Sequence, residues 1–147
     1  MKLTEHFALE EFTRSQTATD KHIPNNPNAM QISNLTNLCV NVLEPLHNIL
    51  NQSIFISSGF RSVKLNRAVG GVPNSQHQTG EAADIDAKPI SPQALFDIIR
   101  NSTIPFDQLI LEFDKWVHIS FKIIGNRNEK LVYTLDENGN EVHTTVG

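Results

Sequence analysis

The stretch Ser75-Gln76-His77-Gln78-Thr79-Gly80-Glu81-Ala82-Ala83-Asp84 holds the residue types that could do chemistry together in this chain. His77 stands in a loop bounded by glycine, and Asp84 stands on the strand that follows. A loop entering a strand can bring an imidazole and a carboxylate onto one metal ion. Zinc accepts such mixed nitrogen and oxygen ligands at about 2.0–2.2 Å. Gly80 permits the tight backbone between them, and Ala82 and Ala83 leave little bulk beside the site. A catalytic zinc takes three protein ligands and keeps one position open for water. His118, within Trp116-Val117-His118-Ile119-Ser120-Phe121, is the third candidate. Strand alternation puts His118 and Ser120 on one face and Val117, Ile119 and Phe121 on the other.

A metal-activated water also needs a base, and Glu112 ends the strand before His118. With a three-residue turn at Asp114 to Trp116, Glu112 lies directly opposite His118, within reach of the same water. With a two-residue turn Glu112 faces away, and Asp114 becomes the substitute. Asp86 shares a strand face with Asp84 and reads as a neighbouring or surface carboxylate. His143 is the rival third ligand. His6, His22 and His47 read as surface or satisfied core residues. Trp116 reads as a cleft wall or packing residue, and Ser75 and Gln76 as residues that shape the loop or touch substrate. Ser57 and Ser58 have no histidine nearby in sequence, so no serine nucleophile is expected.

Ser57-Ser58-Gly59-Phe60-Arg61-Ser62, the Ser75 to Asp84 stretch and Trp116-Val117-His118 together resemble the zinc D-Ala-D-Ala carboxypeptidases and the related phage L-alanyl-D-glutamate endolysins. The resemblance runs from about Phe7 to Phe121. The hedgehog signalling domain is similar in the layout of its metal site. The resemblance implies one Zn2+ per chain on His77, Asp84 and His118, and a peptidase acting on peptidoglycan stem peptides at D-Ala-D-Ala or L-Ala-D-Glu bonds. It implies that Arg61 holds substrate or stabilises the oxyanion; a structural ion pair is the other reading of Arg61. One departure stands out. Many of the wall carboxypeptidases have an acidic residue three positions before the last histidine, where this chain has Lys115. The hedgehog-like arrangement has glutamate six positions before it, which matches Glu112. That domain also supplies the competing reading, a non-catalytic zinc module that binds wall peptide or a protein partner.

These residues need a scaffold to position them. Phe7, Leu9 and Phe12 anchor an opening segment with one or two helical turns, followed by a polar loop, Thr13 to Asn26. Asn26-Pro27 opens the longest helix. Leu35, Leu38, Val42, Leu46 and Ile49 form its buried stripe, and Pro45 predicts a kink or break. Ile54 to Ile56 form a short strand, and Ser62 caps a second helix that Gly70-Gly71 ends. Residues 72–80 read as loop and Glu81 to Ala87 as a strand. Ser91-Pro92 starts a third helix with Leu95, Ile98 and Ile99 inward. Leu109 to Phe113 and Trp116 to Phe121 form a tight hairpin. A terminal hairpin at about 129–147 turns at Asn138-Gly139. The expected fold is α+β, a small and mostly antiparallel sheet with flanking helices, in one domain spanning 1–147.

Composition bounds the rest. A chain of 147 residues can bury a core without disulfides, so a metal here serves chemistry rather than stapling the fold. Twelve basic against sixteen acidic residues give a formal charge of −4, and there is no Lys/Arg run to form a nucleic-acid groove or a polybasic membrane patch. Cys39, the single cysteine, lies in an apolar helical pattern and reads as a core thiol. No apolar run approaches the roughly 20 residues of a membrane span. The N-terminal residues lack a signal-peptide pattern. The expectation is a monomer made in the cytoplasm, of the phage-lysin or virion-associated type, reaching the wall through a separate pore or particle.

Overall fold

Alternation of apolar and polar residues sets the central sheet. The computed structural model describes residues 1–147. Its strands are β1 (Phe55–Ser58), β2 (Ala82–Asp86), β3 (Gln108–Glu112), β4 (Trp116–Ser120), β5 (Glu129–Leu135) and β6 (Glu141–Thr145). They form one sheet in the order β1-β2-β4-β3-β5-β6. Every pairing is antiparallel except β3 with β5, which is parallel. The fold is therefore α+β with a mostly antiparallel sheet, as expected. Ala83, Ile85, Leu109, Leu111, Val117 and Ile119 point from one face into the main apolar core. Period-two alternation sends Asp84, His118 and Glu112 to the opposite face.

Helices cover the apolar face. α1 (Leu9–Thr13) buries Phe12 completely. α3 (Ala29–Leu38) runs into a single widened π turn, Cys39–Leu43, and then into α4 (Glu44–Leu50). α6 (Pro92–Arg100) buries Leu95, Phe96 and Ile99, while Ile98 is partly buried against the core. α5 (Val63–Ala68) lies beside the functional face, with the Ser62 hydroxyl accepting from the Leu65 N–H.

Several expectations are corrected. The long helix starts at Ala29, not at Asn26-Pro27, because Asn28 and Gln31 close a reciprocal capping box at 2.9 and 2.8 Å. Pro45 does not break it. The missing N–H falls at the start of α4, just after the π turn, so the chain continues. That widened turn also rotates the residues after it. Leu43 and Leu46 face the core, whereas Ile49 is 52% exposed. The supposed loop from Thr13 contains a helix, α2 (Gln16–Lys21), capped by Ser15 and ended by His22 at φ 54°. It is polar and buries only Ala18, so it has no apolar period to announce it. Within 72–80 a 3-10 turn, Gln76–Thr79, carries His77.

The β3–β4 hairpin differs by two residues from the expected register. Its three-residue turn is Phe113-Asp114-Lys115, and Glu112 pairs with Trp116 while Ile110 pairs with His118. Phe113 and Asp114 take φ 55° and 57°, and the Lys115 N–H closes on the Glu112 carbonyl at 3.0 Å. A shift of two keeps Glu112 on the face of His118, as its diagonal neighbour rather than its direct partner.

Candidate metal centre and its cleft

Asp84 and His118 are directly paired across β2 and β4, so one ladder rung supplies two donors. The 3-10 turn before β2 folds His77 over them. Asp84 Oδ1 lies 3.4 Å from His77 Nε2 and 3.1 Å from His118 Nδ1. The ligand atoms of all three residues fall within 4.8 Å of one another. Each side chain is buried, with residue exposures of 3%, 7% and 8% for His77, Asp84 and His118.

The Ser57 to Ser62 motif grips His77 from two sides. The His77 Nδ1–H donates to the Gly59 carbonyl at 2.7 Å, and the Arg61 backbone N–H donates to the His77 carbonyl at 3.0 Å. A carbonyl can only accept, so Nδ1 carries the proton and Nε2 presents its lone pair to the site. The Ser75 hydroxyl accepts from the His77 N–H at 3.2 Å. Burial lowers the His77 pKa, with Asp84 opposing. Burial works to raise that of Asp84, but His77 and His118 outweigh it and hold the carboxyl below its ordinary range. A carboxylate and an imidazole that favours its neutral form are the states a metal requires of its ligands. Two imidazoles and one carboxylate, tightly converged, fit zinc with one position left open.

Glu112 Oε1 stands 3.9 Å from His118 Nδ1. Burial, then Asp84, push its pKa up; His118 and Arg61 oppose. Such a carboxylate suits proton transfer near neutral pH better than an exposed one. Arg61 Nη2 lies 3.9 Å from Asp84 Oδ2. Its Nε donates to Ser58 Oγ at 3.2 Å and its Nη1 to Asn66 Oδ1 at 2.9 Å. Asn66 is 2% exposed and anchors itself on the Val72 carbonyl. A Cβ at Gly71 would come within 2.1 Å of Asn66 Oδ1, so the glycine there leaves room for the Arg61–Asn66 contact. Sequence reasoning missed Asn66 altogether, and took Ser58 as part of a motif and Gly71 as a helix stop without their contacts to Arg61, because each acts through Arg61 and none carries a ligand pattern of its own.

A cleft of about 450 Å³ runs along this face, lined among others by Arg61, Gln76, Glu112, Trp116, His118 and Tyr133. A larger hollow of about 690 Å³, lined in part by Leu111, Val132 and Leu135, is more apolar and contains none of the three convergent ligands. Ser75 and Gln76 line the cleft, yet both are tied to the loop: Ser75 caps the 3-10 turn and Gln76 Nε2 donates to Asp107 Oδ2 at 2.9 Å. Gln76 Oε1 and Trp116 Nε1 are buried without a hydrogen-bond partner. Asp86 stays apart, with its carboxylate 3.8 Å from Lys88 Nζ. Asp114 is exposed in its turn. His143 stacks on Tyr133 and reaches Glu141 at 3.0 Å, so it stands apart from His77, Asp84 and His118. His6, Glu44 and His47 also come within 4.8 Å of one another. There Glu44 already accepts from the Thr4 hydroxyl, the His6 N–H and the His6 ring, which pins the N-terminal segment to α4.

A mostly antiparallel sheet that offers three convergent metal donors, a raised carboxylate and a fixed cation along one open cleft has the parts of a hydrolase. The sequence profile of the family described as Peptidase M15 matches residues 5–120. The chain belongs to that peptidase family. No curated protein matches it. No helix is long and apolar enough to cross a membrane.

Proposed function

We propose that this chain is a zinc-dependent peptidase that cleaves peptidoglycan stem peptides, with His77, Asp84 and His118 holding one zinc ion, Glu112 as the base and Arg61 binding the reacting carbonyl. The observation that carries the reading is the convergence of three buried donors with Glu112 3.9 Å from His118 at the edge of an open cleft. Zinc held there supplies Lewis acidity, polarising a carbonyl and making water a nucleophile near neutral pH. Glu112, 3.9 Å from His118, takes the proton of the attacking water and returns it to the leaving amine. The Arg61 guanidinium, locked by Ser58 and Asn66, offers a fixed positive charge where the oxyanion develops. The cell-wall substrate comes from the resemblance of the motifs, and D-Ala-D-Ala and L-Ala-D-Glu bonds are both open to the same chemistry.

The test is incubation of the zinc-loaded protein with purified peptidoglycan, with and without a chelator. New amine ends are expected only without chelator, and mass spectrometry of the released peptides names the bond. Retention on peptidoglycan without any cleavage supports the binding-module reading instead.

A further inference from the structure

The terminal hairpin lies outside residues 5–120, the part that matches the family profile. The sheet register nevertheless carries it to the centre of the cleft. β5 is the parallel neighbour of β3, and Tyr133 pairs directly with Glu112. β6 follows, and His143 pairs directly with Tyr133. Trp116, Glu112, Tyr133 and His143 therefore form one rung across four strands, on the face that holds the metal ligands. Neighbouring strands are about 4.8 Å apart, so Tyr133 stands one strand from the proposed base.

Two packing contacts fix the Tyr133 ring. His143 stacks flat against it, with ring centroids 3.6 Å apart and planes at 6°. Phe113, from the β3–β4 turn, meets it edge-on at 6.2 Å and 61°. A side chain clamped between two rings loses little further freedom when a ligand binds. Burial, then Glu112, Glu129 and Glu141, push the phenol pKa up, so the hydroxyl keeps its proton. It is a donor held beside a carboxylate that must act on a substrate in the same cleft.

We infer that Tyr133 is a substrate-binding residue, donating its phenol hydrogen to a carbonyl or carboxylate oxygen of the peptide bound alongside Glu112, and that His143 is the positioning residue behind it. The inference rests on the peptidase reading for the identity of the ligand. It assigns the terminal hairpin a task, as the wall of the cleft opposite Arg61.

Tyr133→Phe removes the hydroxyl and keeps the ring. With purified peptidoglycan as substrate, cleavage by the zinc-loaded variant is expected to fall about tenfold, the loss of roughly one good hydrogen bond, mostly through weaker substrate binding. Zinc stoichiometry and melting temperature are expected to stay at wild-type values. His143→Ala should lower cleavage in the same direction, and Thr144→Ala, on the opposite face of β6, should leave it unchanged. A parallel arm measures retention of Glu112→Ala and Glu112→Ala/Tyr133→Phe proteins on insoluble peptidoglycan, where the double variant is expected to bind less. If the wild type cleaves nothing yet the double variant binds less, the peptidase reading fails and the role of Tyr133 stands. Wild-type cleavage by Tyr133→Phe, or equal retention of the two Glu112→Ala proteins, overturns it.

Discussion

The Nδ1–H of His77 donates to the Gly59 carbonyl at 2.7 Å, and that one contact decides which nitrogen of His77 faces Asp84. It ties the β1–α5 loop to the 3-10 turn, two segments with no strand pairing between them. It also explains a glycine at 59. A Cβ there would lie 2.6 Å from the Phe12 Cα and 2.7 Å from the Phe12 carbonyl oxygen. Gly59→Ala must push α1 and the loop apart and move the carbonyl that orients His77. We expect zinc affinity to fall about 10–100-fold, as when a group that orients a metal-bound histidine is lost, together with a lower melting temperature. Competition against a zinc chelator measures the first and calorimetry the second. A variant with wild-type affinity would show that the Gly59 contact does not matter.

Zinc binding should stabilise the fold, because the ligand set is assembled only when β2, β4 and the 3-10 turn are in place. At free zinc one hundredfold above its Kd the gain is about 2.7 kcal/mol, which raises the melting temperature by several degrees in a domain of this size. His77→Ala should lose both the metal and the shift. Elemental analysis of the reconstituted protein should give one zinc for the wild type and none for that variant. A wild type that takes up no zinc removes the basis of the proposed function.

Glu112→Ala should separate chemistry from metal binding. The carboxylate is outside the three convergent donors, so zinc stoichiometry is expected to remain one. Cleavage of peptidoglycan should drop by about 10²–10⁴, the usual loss for a missing general base. Retained activity would transfer the role elsewhere, and Asp114, exposed in the turn, would be the residue to substitute next.

Asp107 gives a pH signature separate from the candidate metal site. Its side chain is fully buried. Burial alone would raise its pKa, but hydrogen bonds from the Arg127 side chain and backbone, and from Gln76, depress it to about 2. The Arg127 Nη2 contact is 2.7 Å. A depressed carboxyl stabilises the fold above its unfolded pKa, and that stabilisation is lost as pH falls from about 4 through about 2. Asp107→Asn should cost about 1–3 kcal/mol at pH 7 in urea unfolding, and the difference should shrink steadily below pH 4. A difference independent of pH would show that the charge is not what matters.

Much of the candidate site is legible in the residues themselves. His77 and Asp84 belong to a spaced pattern of ligand types around Gly80, and His118 stands on a strand whose apolar neighbours leave it only one face. Period two carries that reasoning without any knowledge of the fold. Strand positions, the Ser62 and Ser91 caps and the turn at Gly139 also lie close to local signals. The polar helix α2 shows the limit: with only Ala18 buried, it has no period to read.

Pairing between distant segments is what the tertiary structure alone decided. Nothing local requires β5 to lie parallel to β3, and that choice places Tyr133 beside Glu112 and His143 beside Tyr133. The two-residue difference in the β3–β4 register arose from left-handed backbone at Phe113 and Asp114, positions where side chains rarely adopt it. Arg61 is aimed by Asn66, and His77 by Gly59, through contacts that only packing creates. Residue types and short-range periods determined the donors and the faces they stand on, because both follow from backbone geometry within one element. Which faces meet, and in what register, depends on burying one shared core, and that is a property of the whole chain.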